Sequence, residues 1–201
     1  MVVDGVYYAL AFAAAGVVIG YLTNVGFGIP FYVLGLFSLY FFRDPEREVP
    51  PGPVAVSPAD GKVVSVKIFS PGSTRISIFL NIFDVHVNRS PIGGVISKVH
   101  YQKGRFRVAS REIASSENEQ NTVTVTGDGT SVIFSQIAGL IARRIVFYKK
   151  PGDVVEKGER VGLIKFGSRL DVFFGPDWEV TVKQGERVAC GSSIIARRKQ
   201  D

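Results

Sequence analysis

The sequence predicts a mainly β fold, a β-sandwich or barrel-sandwich domain carrying an apolar helical hairpin at its N-terminus. Three observations predict it. Two uncharged apolar runs occupy the first 42 residues, a segment rich in proline and charge interrupts the chain, and everything beyond it reads as short β-like runs separated by Gly, Pro and Asp.

The first run, Val6 to Leu22, is uncharged. About 20 residues at ~1.5 Å each cross a bilayer, so this run is marginally long enough and the second, Phe31 to Phe42, is too short alone. The expected arrangement is a hairpin turning between Asn24 and Pro30, re-entrant or shallowly spanning. Neither run carries a polar stripe, which argues against a hairpin buried in a soluble core. A cleaved signal peptide is disfavoured because Met1 to Gly5 holds Asp4 and no Lys or Arg. Pro45, Pro50, Pro51 and Pro53 then make a stiff linker that cannot continue a helix. The expected organisation is a membrane-associated hairpin over 1–43, a linker over 44–53 and a β-rich domain over 54–201. Arg43 and Arg47 place the linker and the β-rich domain on the cytoplasmic face of a cell membrane by the positive-inside rule.

Beyond Val54 the β-like runs are VAVSPADGKVVSVKIF, TRISIFLNIF, GGVISKVHY, NTVTVTG, TSVIFSQIAG, RRIVFYK, RVGLIKF, DVFF, EVTVKQG and SSIIARR, with a single helical turn expected between Ala138 and Arg144. Many short strands with regular turn signals favour a sandwich or barrel. Lys157-Gly158-Glu159-Arg160-Val161 is echoed by Gln184-Gly185-Glu186-Arg187-Val188, and a Gly-Ser step comes after each copy, as a hairpin used twice would produce. The same pattern is similar to the barrel-sandwich lipoyl and biotinyl carriers, but the lysine those carriers modify has no counterpart here.

Composition narrows the partners. The net charge of +6, from 24 Lys+Arg against 18 Asp+Glu, favours an anionic surface, and a mean hydropathy of +0.19 points to membrane lipid and away from nucleic acid. The single cysteine, Cys190, allows no intrachain disulfide and no Cys-rich metal site, and reads as a small apolar filler. With two histidines, His86 and His100, imidazole chemistry has two candidates.

Three segments stand out: Ser57-Pro58-Ala59-Asp60-Gly61-Lys62, Phe83 to Pro91 around His86, and Phe166-Gly167-Ser168-Arg169. Each alone has an ordinary reading: Asp60-Gly61 as a hairpin turn, His86 as a strand histidine, Gly167-Ser168 as a loop. Together they supply an acid, an imidazole and a hydroxyl, the set that activates a serine nucleophile. There is no G-x-S-x-G elbow of the α/β-hydrolase kind.

SPADGKV, FDVHVNRSP with its downstream GGVISKVHYQKGRF, ENEQN at Glu117 to Asn121, QIAGLIARRIV at Gln136 to Val146, and the run ending IKFGSR together resemble the short-form phosphatidylserine decarboxylases. The resemblance covers nearly everything from Phe41 to Ala196 in the family's order, and the apolar N-terminus fits it. It implies a pyruvoyl-dependent enzyme whose proenzyme cuts itself before a serine that becomes the cofactor. The cleaved serine maps onto Ser168, preceded by Gly167, the histidine onto His86 and the aspartate onto Asp60. Long-form relatives carry a second histidine just before the Val-His pair, where this chain has Phe83-Asp84. Ser192 and Ser193 are rival cleavage positions by the internal echo, but cutting before Ser192 leaves a tail of ten residues, too short to pair well.

The resemblance also implies a mechanism. Ser168 Oγ, deprotonated by His86 with Asp60 behind it, attacks the Gly167 carbonyl and moves the acyl group from nitrogen to oxygen. Loss of the Ser168 α-proton expels the Gly167 carboxylate, and hydrolysis with release of ammonia leaves the pyruvoyl group at the head of an α chain, 168–201, beside a β chain, 1–167. That group reacts with the serine amine of a membrane phospholipid and accepts the electrons released as CO2 departs. The lipid is phosphatidylserine or its ether-linked analogue archaetidylserine, and the product carries an ethanolamine head group. No metal is implied. Arg143, Arg144, Lys149, Lys150 and Arg197 to Lys199 could meet anionic lipid phosphates, or form an ordinary basic surface. Exposed strand edges and an interfacial hairpin are compatible with a homodimer. The alternatives are a pyruvoyl decarboxylase of a soluble amino acid and a membrane-anchored carrier or binding module without chemistry.

Overall fold

The structure is a computed structural model that describes residues 2–69, 72–105, 117–139, 144–165 and 168–199. The chain divides into two compact units, Met1–Glu46 and Arg47–Asp201.

The first unit is a pair of helices, α1 (Val3–Leu22) and α2 (Val25–Phe41). The turn is shorter than the sequence suggests. Asn24 caps α2, its Oδ1 accepting from Gly26 N at 2.9 Å, so only Thr23 and Asn24 separate the helices and Pro30 lies inside α2. The helices meet through small residues: a Cβ on Gly28 would stand 2.6 Å from the Gly16 carbonyl oxygen. Their outer surfaces remain apolar and exposed, as at Tyr7, Leu10, Val17, Phe27, Val33 and Leu36. By length and composition α1 can cross a membrane and α2 is shorter than that. An exposed face that is apolar all round is costly in water and natural in lipid.

The second unit is mainly β. Its strands are β1 (Val54–Val56), β2 (Gly61–Phe69), β3 (Ser73–Leu80), β4 (Val87–Arg89), β5 (Gly94–Gln102), β6 (Gln120–Gly127), β7 (Thr130–Ala138), β8 (Arg144–Phe147), β9 (Val154–Val155), β10 (Arg160–Lys165), β11 (Ser168–Phe174), β12 (Trp178–Val180), β13 (Arg187–Val188) and β14 (Ile194–Arg198). Among the described residues they form a curled sheet in the order β13-β2-β3-β11-β7-β6-β5-β9 and two three-stranded sheets, β4-β10-β8 and β1-β14-β12. The large sheet buries one face through the alternation of its strands. Ile76, Ile78 and Leu80 of β3, Leu170, Val172 and Phe174 of β11, and Val132 and Phe134 of β7 point into one core with Ala55, Val161 and Ile195.

Several expected runs change at their boundaries. VAVSPADGKVVSVKIF is two strands in different sheets: β1 pairs with β14, and β2 pairs with β3 and β13. Asp60-Gly61 is therefore no hairpin turn. Gly61 opens β2 at φ +150°, and a Cβ there would stand 2.2 Å from the Phe79 carbonyl oxygen, so a close strand crossing demands the glycine. The internal echo is a repeated turn rather than a repeated hairpin. Glu159 N donates to Glu156 O and Glu186 N to Lys183 O, with Gly158 and Gly185 at positive φ, but β10 pairs with β4 and β8 whereas β13 pairs with β2. Of the helical turn expected between Ala138 and Arg144, residues 140–143 lie outside the described residues, while Ala138 ends β7 and Arg144 begins β8.

The DVFF run extends upstream to Ser168. Arg169 and Asp171 share the face of β11 opposite the core, yet each is only 1% exposed. They pair with each other, Nε to Oδ1 at 2.6 Å, and Arg169 Nη2 also donates to Ser77 Oγ at 2.6 Å. A carboxylate two residues on lets a strand accept a buried guanidinium.

Gly61→Ala is expected to cost about 1–3 kcal/mol, since the backbone must move from Phe79 or strain, read as a lowered thermal midpoint of the detergent-solubilised chain. Asp171→Ala leaves the Arg169 charge buried and is expected to destabilise by roughly 3–5 kcal/mol, read as an earlier midpoint in urea.

Candidate active site

Ser168 is the first residue of β11 and is paired on both sides, opposite Leu80 of β3 and Ala138 of β7. It shares the inward face with Leu170 and Val172, and it is completely buried. Its Oγ has no hydrogen-bond partner among the described residues. An unpaired buried hydroxyl costs roughly 1–3 kcal/mol, which calls for a reason beyond packing. Gly167, the other half of the expected scissile bond, and Phe166 lie outside the described residues.

His86 reaches the same place through the small sheet. Val87 pairs with Leu163 of β10, and the ladder continues as Ile164 N donates to the His86 carbonyl at 3.3 Å. Ile164 packs with Ala138, the residue opposite Ser168. The main chain of His86 thus lies one ladder step from a side chain that covers the Ser168 end of β11. The imidazole is 2% exposed, and its Nδ1–H donates to the Asp84 carbonyl at 2.9 Å. A carbonyl can only accept, so in the neutral ring the lone pair sits on Nε2, the form a general base needs. Asp84 is held in turn: its carboxylate accepts from Asn81 N at 2.9 Å and pairs with Arg187.

Asp60 is brought near the same strand but not onto the imidazole. Its carboxylate accepts from Arg47 Nη2 at 3.0 and 3.2 Å and from Cys190 N at 2.6 Å, and among the described residues no hydrogen bond joins it to His86. The segment lies against β4, since Arg89 N donates to Pro58 O and Cys190 Sγ to Val87 O. Burial pushes the Cys190 thiol well above its ordinary pKa, and the Asp60 charge adds to this against the opposing pull of Arg89 and Arg47. Cys190 is therefore an inert filler that also offers its backbone N–H to Asp60.

The other candidates fall elsewhere. His100 is exposed on β5, opposite Thr122, and β7 and β6 intervene between its strand and β11, about 14 Å away at the usual strand spacing. Ser193 Oγ accepts from Ala189 N at 2.9 Å, and Ser192 lies in the same turn, its N–H bonded to Ala189 O. Lys149 pairs with Glu159, and Arg198 and Lys199 donate to the carbonyls of Asp128 and Pro176. Arg143 lies outside the described residues.

The sequence reading missed a line of buried amides. Asn121 Nδ2 donates to Gln136 Oε1 at 3.1 Å, and Gln136 Nε2 donates to Asn88 Oδ1 at 2.9 Å. Asn88 is fully buried, and its Nδ2 has no partner among the described residues. Asn88 and Gln136 lie in segments that carry the resemblance, FDVHVNRSP and QIAGLIARRIV, but a polar side chain in a strand-like run reads as solvent-facing, so nothing local marks them as buried. Arg47 was legible only as a topological charge.

Comparison with known proteins gives the same assignment throughout. The family model described as phosphatidylserine decarboxylase matches residues 34–196. A phosphatidylserine decarboxylase proenzyme of Solibacter usitatus (strain Ellin6076) is 66% identical over 198 residues, covering 98% of this chain and 97% of that protein. Proteins of the same description from Syntrophus aciditrophicus (strain SB) and Burkholderia vietnamiensis (strain G4 / LMG 22486) are 46% and 44% identical, covering 80% and 94% of this chain and 79% and 91% of their own lengths. With a match of this extent along sequence and family model alike, the chain belongs to the phosphatidylserine decarboxylase family.

Proposed function

We propose that the chain is a self-processing, pyruvoyl-dependent decarboxylase that converts the serine head group of a membrane phospholipid, phosphatidylserine or archaetidylserine, to an ethanolamine head group with release of CO2. The observation that carries this reading is the buried Ser168 Oγ, without a hydrogen-bond partner among the described residues, at the first residue of a strand paired on both sides. Family membership leaves the non-enzymatic carrier and the decarboxylase of a soluble amino acid without support.

His86 Nε2 takes the Oγ proton of Ser168, and the bond cut is the one between Gly167 and Ser168. The products are a β chain of 1–167 and an α chain of 168–201. Asp60 acts on this centre through Cys190 and β4, with Arg47 holding its carboxylate. Burial of Ser168 and His86 keeps bulk water from the carbonyl during attack. The residues present fit a pyruvoyl group, because the position that would carry it is buried on the inward face of a strand flanked by β3 and β7, and the group would keep the Ser168 carbonyl and its link to Arg169. A ketone conjugated to an amide supplies an electron sink for the carbon that loses CO2. His86 then returns a proton from Nε2 to that carbon. The apolar helices keep the enzyme at the bilayer that holds its substrate, and Arg43 and Arg47 favour the cytoplasmic face.

Ser168→Ala is expected to stay a single 21.9 kDa chain without decarboxylase activity. Mass spectrometry of the purified protein checks this, and normal cutting of that variant would sink the reading. His86→Ala is expected to slow processing by roughly 10²–10⁴-fold, the usual contribution of a general base; pulse labelling that shows processing at the native rate removes His86 from that role.

A further inference from the structure

We propose that Asn88 is a catalytic residue of self-processing, its Nδ2 donating to the oxyanion that forms on the Gly167 carbonyl oxygen when Ser168 Oγ attacks. The inference rests on the reading of Ser168 as the attacking nucleophile and gives a role to a residue that the FDVHVNRSP segment contains but to which the sequence assigned none.

Two of the buried side-chain groups without hydrogen-bond partners among the described residues, Ser168 Oγ and Asn88 Nδ2, belong to residues that meet the same end of β7, Ser168 opposite Ala138 and Asn88 bonded to Gln136. One is a nucleophile and the other a donor. Asn88 pairs with Gly162 of β10 and lies two residues after His86 in one extended run, so both side chains leave the same side of it. Gln136, which holds Asn88 Oδ1, is paired with Leu170 of β11, and Ala138, two residues along the same face of β7, is paired with Ser168. Ser168 and Gln136 are thus diagonal neighbours on one buried face, roughly 7–8 Å apart. Gly162 makes room for the contact, because a Cβ there would stand 3.1 Å from Gln136 Nε2 and 2.3 Å from the Val146 carbonyl oxygen. β10 then runs from Gly162 past Ile164 to Lys165, two residues before Gly167.

The amide line has a direction. Asn121 donates to Gln136, Gln136 donates to Asn88, and what remains at its end is an N–H pair with nothing to bond in the resting chain among the described residues. A donor left unpaired in the ground state and satisfied only when charge develops lowers the barrier rather than the ground state. The step balances without a co-reactant. The Oγ–C bond forms, the Oγ proton passes to His86, the carbonyl oxygen becomes the anion held by Asn88, and its collapse breaks the C–N bond while the departing nitrogen takes up the proton.

The test monitors processing of the full chain during cell-free synthesis in the presence of phospholipid vesicles, with and without hydroxylamine, which cuts an ester but spares an amide. Asn88→Asp keeps the shape and removes the donor. It is expected to melt below Ser168→Ala because it buries a carboxylate, to process about 10²–10³-fold more slowly than the parent at a temperature where both are folded, and to resist hydroxylamine because it stalls before the ester. Asn88→Ala buries no charge and carries the same expectation for processing and hydroxylamine if Asn88→Asp is insoluble. Processing within threefold of the parent by either folded variant, or accumulation of a hydroxylamine-sensitive chain, overturns the proposal. Ser168→Ala separates the two ideas: if it is cut, the nucleophile assignment itself fails, and if it stays whole while Asn88→Asp is cut normally, only the role of Asn88 fails.

Discussion

Everything about this protein depends on β11 being paired on both sides from its first residue. Ser168 is matched to Leu80 and Ala138, and the register runs without a shift to Phe174 on the β3 side and Phe173 on the β7 side. The inward residues Leu170, Val172 and Phe174 lie in the core, and the outward pair Arg169 and Asp171 neutralises itself under cover. A strand so held keeps its place if the bond before it is cut. Two further strands of an α chain behave alike, because β13 pairs with β2 and β14 with β1, both from the other side of the proposed cut, while β12 pairs with β14 of the same chain. Such cross-pairing would hold two chains together without any covalent link.

The same constraint explains why polar groups are tolerated inside. The small sheet of β4, β10 and β8 lies over the end of the large one where Ser168 begins, with Ile164 against Ala138 and Gly162 against Gln136. At that seam the chain buries a histidine, a serine and three amides, most of them satisfied by one another or by main chain. There Ser168 Oγ and Asn88 Nδ2 have no hydrogen-bond partner among the described residues, and each represents a free-energy cost that packing alone does not return. A core selected for stability alone would place apolar side chains there.

The helical unit obeys a different rule. Its glycines bring two backbones together, which spares the apolar side chains for the outside. In water that surface would drive aggregation; in lipid it is the natural contact.

The reach of each force decided how much of this was legible in the residues alone. Local composition and period determined the apolar helices, the prolines that end them, most of the strands of the second unit, and the segments holding Asp60, His86 and Ser168, because those signals act over a few residues. Strands as short as β4, β9 and β13 escaped, since two or three residues carry no period. The start of β11 escaped because Arg169 and Asp171 look like a loop until each is seen to neutralise the other. Only the tertiary structure decided that Asp60 bonds Arg47 and Cys190, that His86 is oriented by the carbonyl of Asp84, and that Asn88, Gln136 and Asn121 meet at all. Those partners are 13 to 130 positions apart, save for the His86–Asp84 bond, whose geometry depends on the β10 pairing that holds the segment. Hydrogen bonds specify a partner by geometry at about 3 Å, and only sheet register can bring such distant groups to that distance.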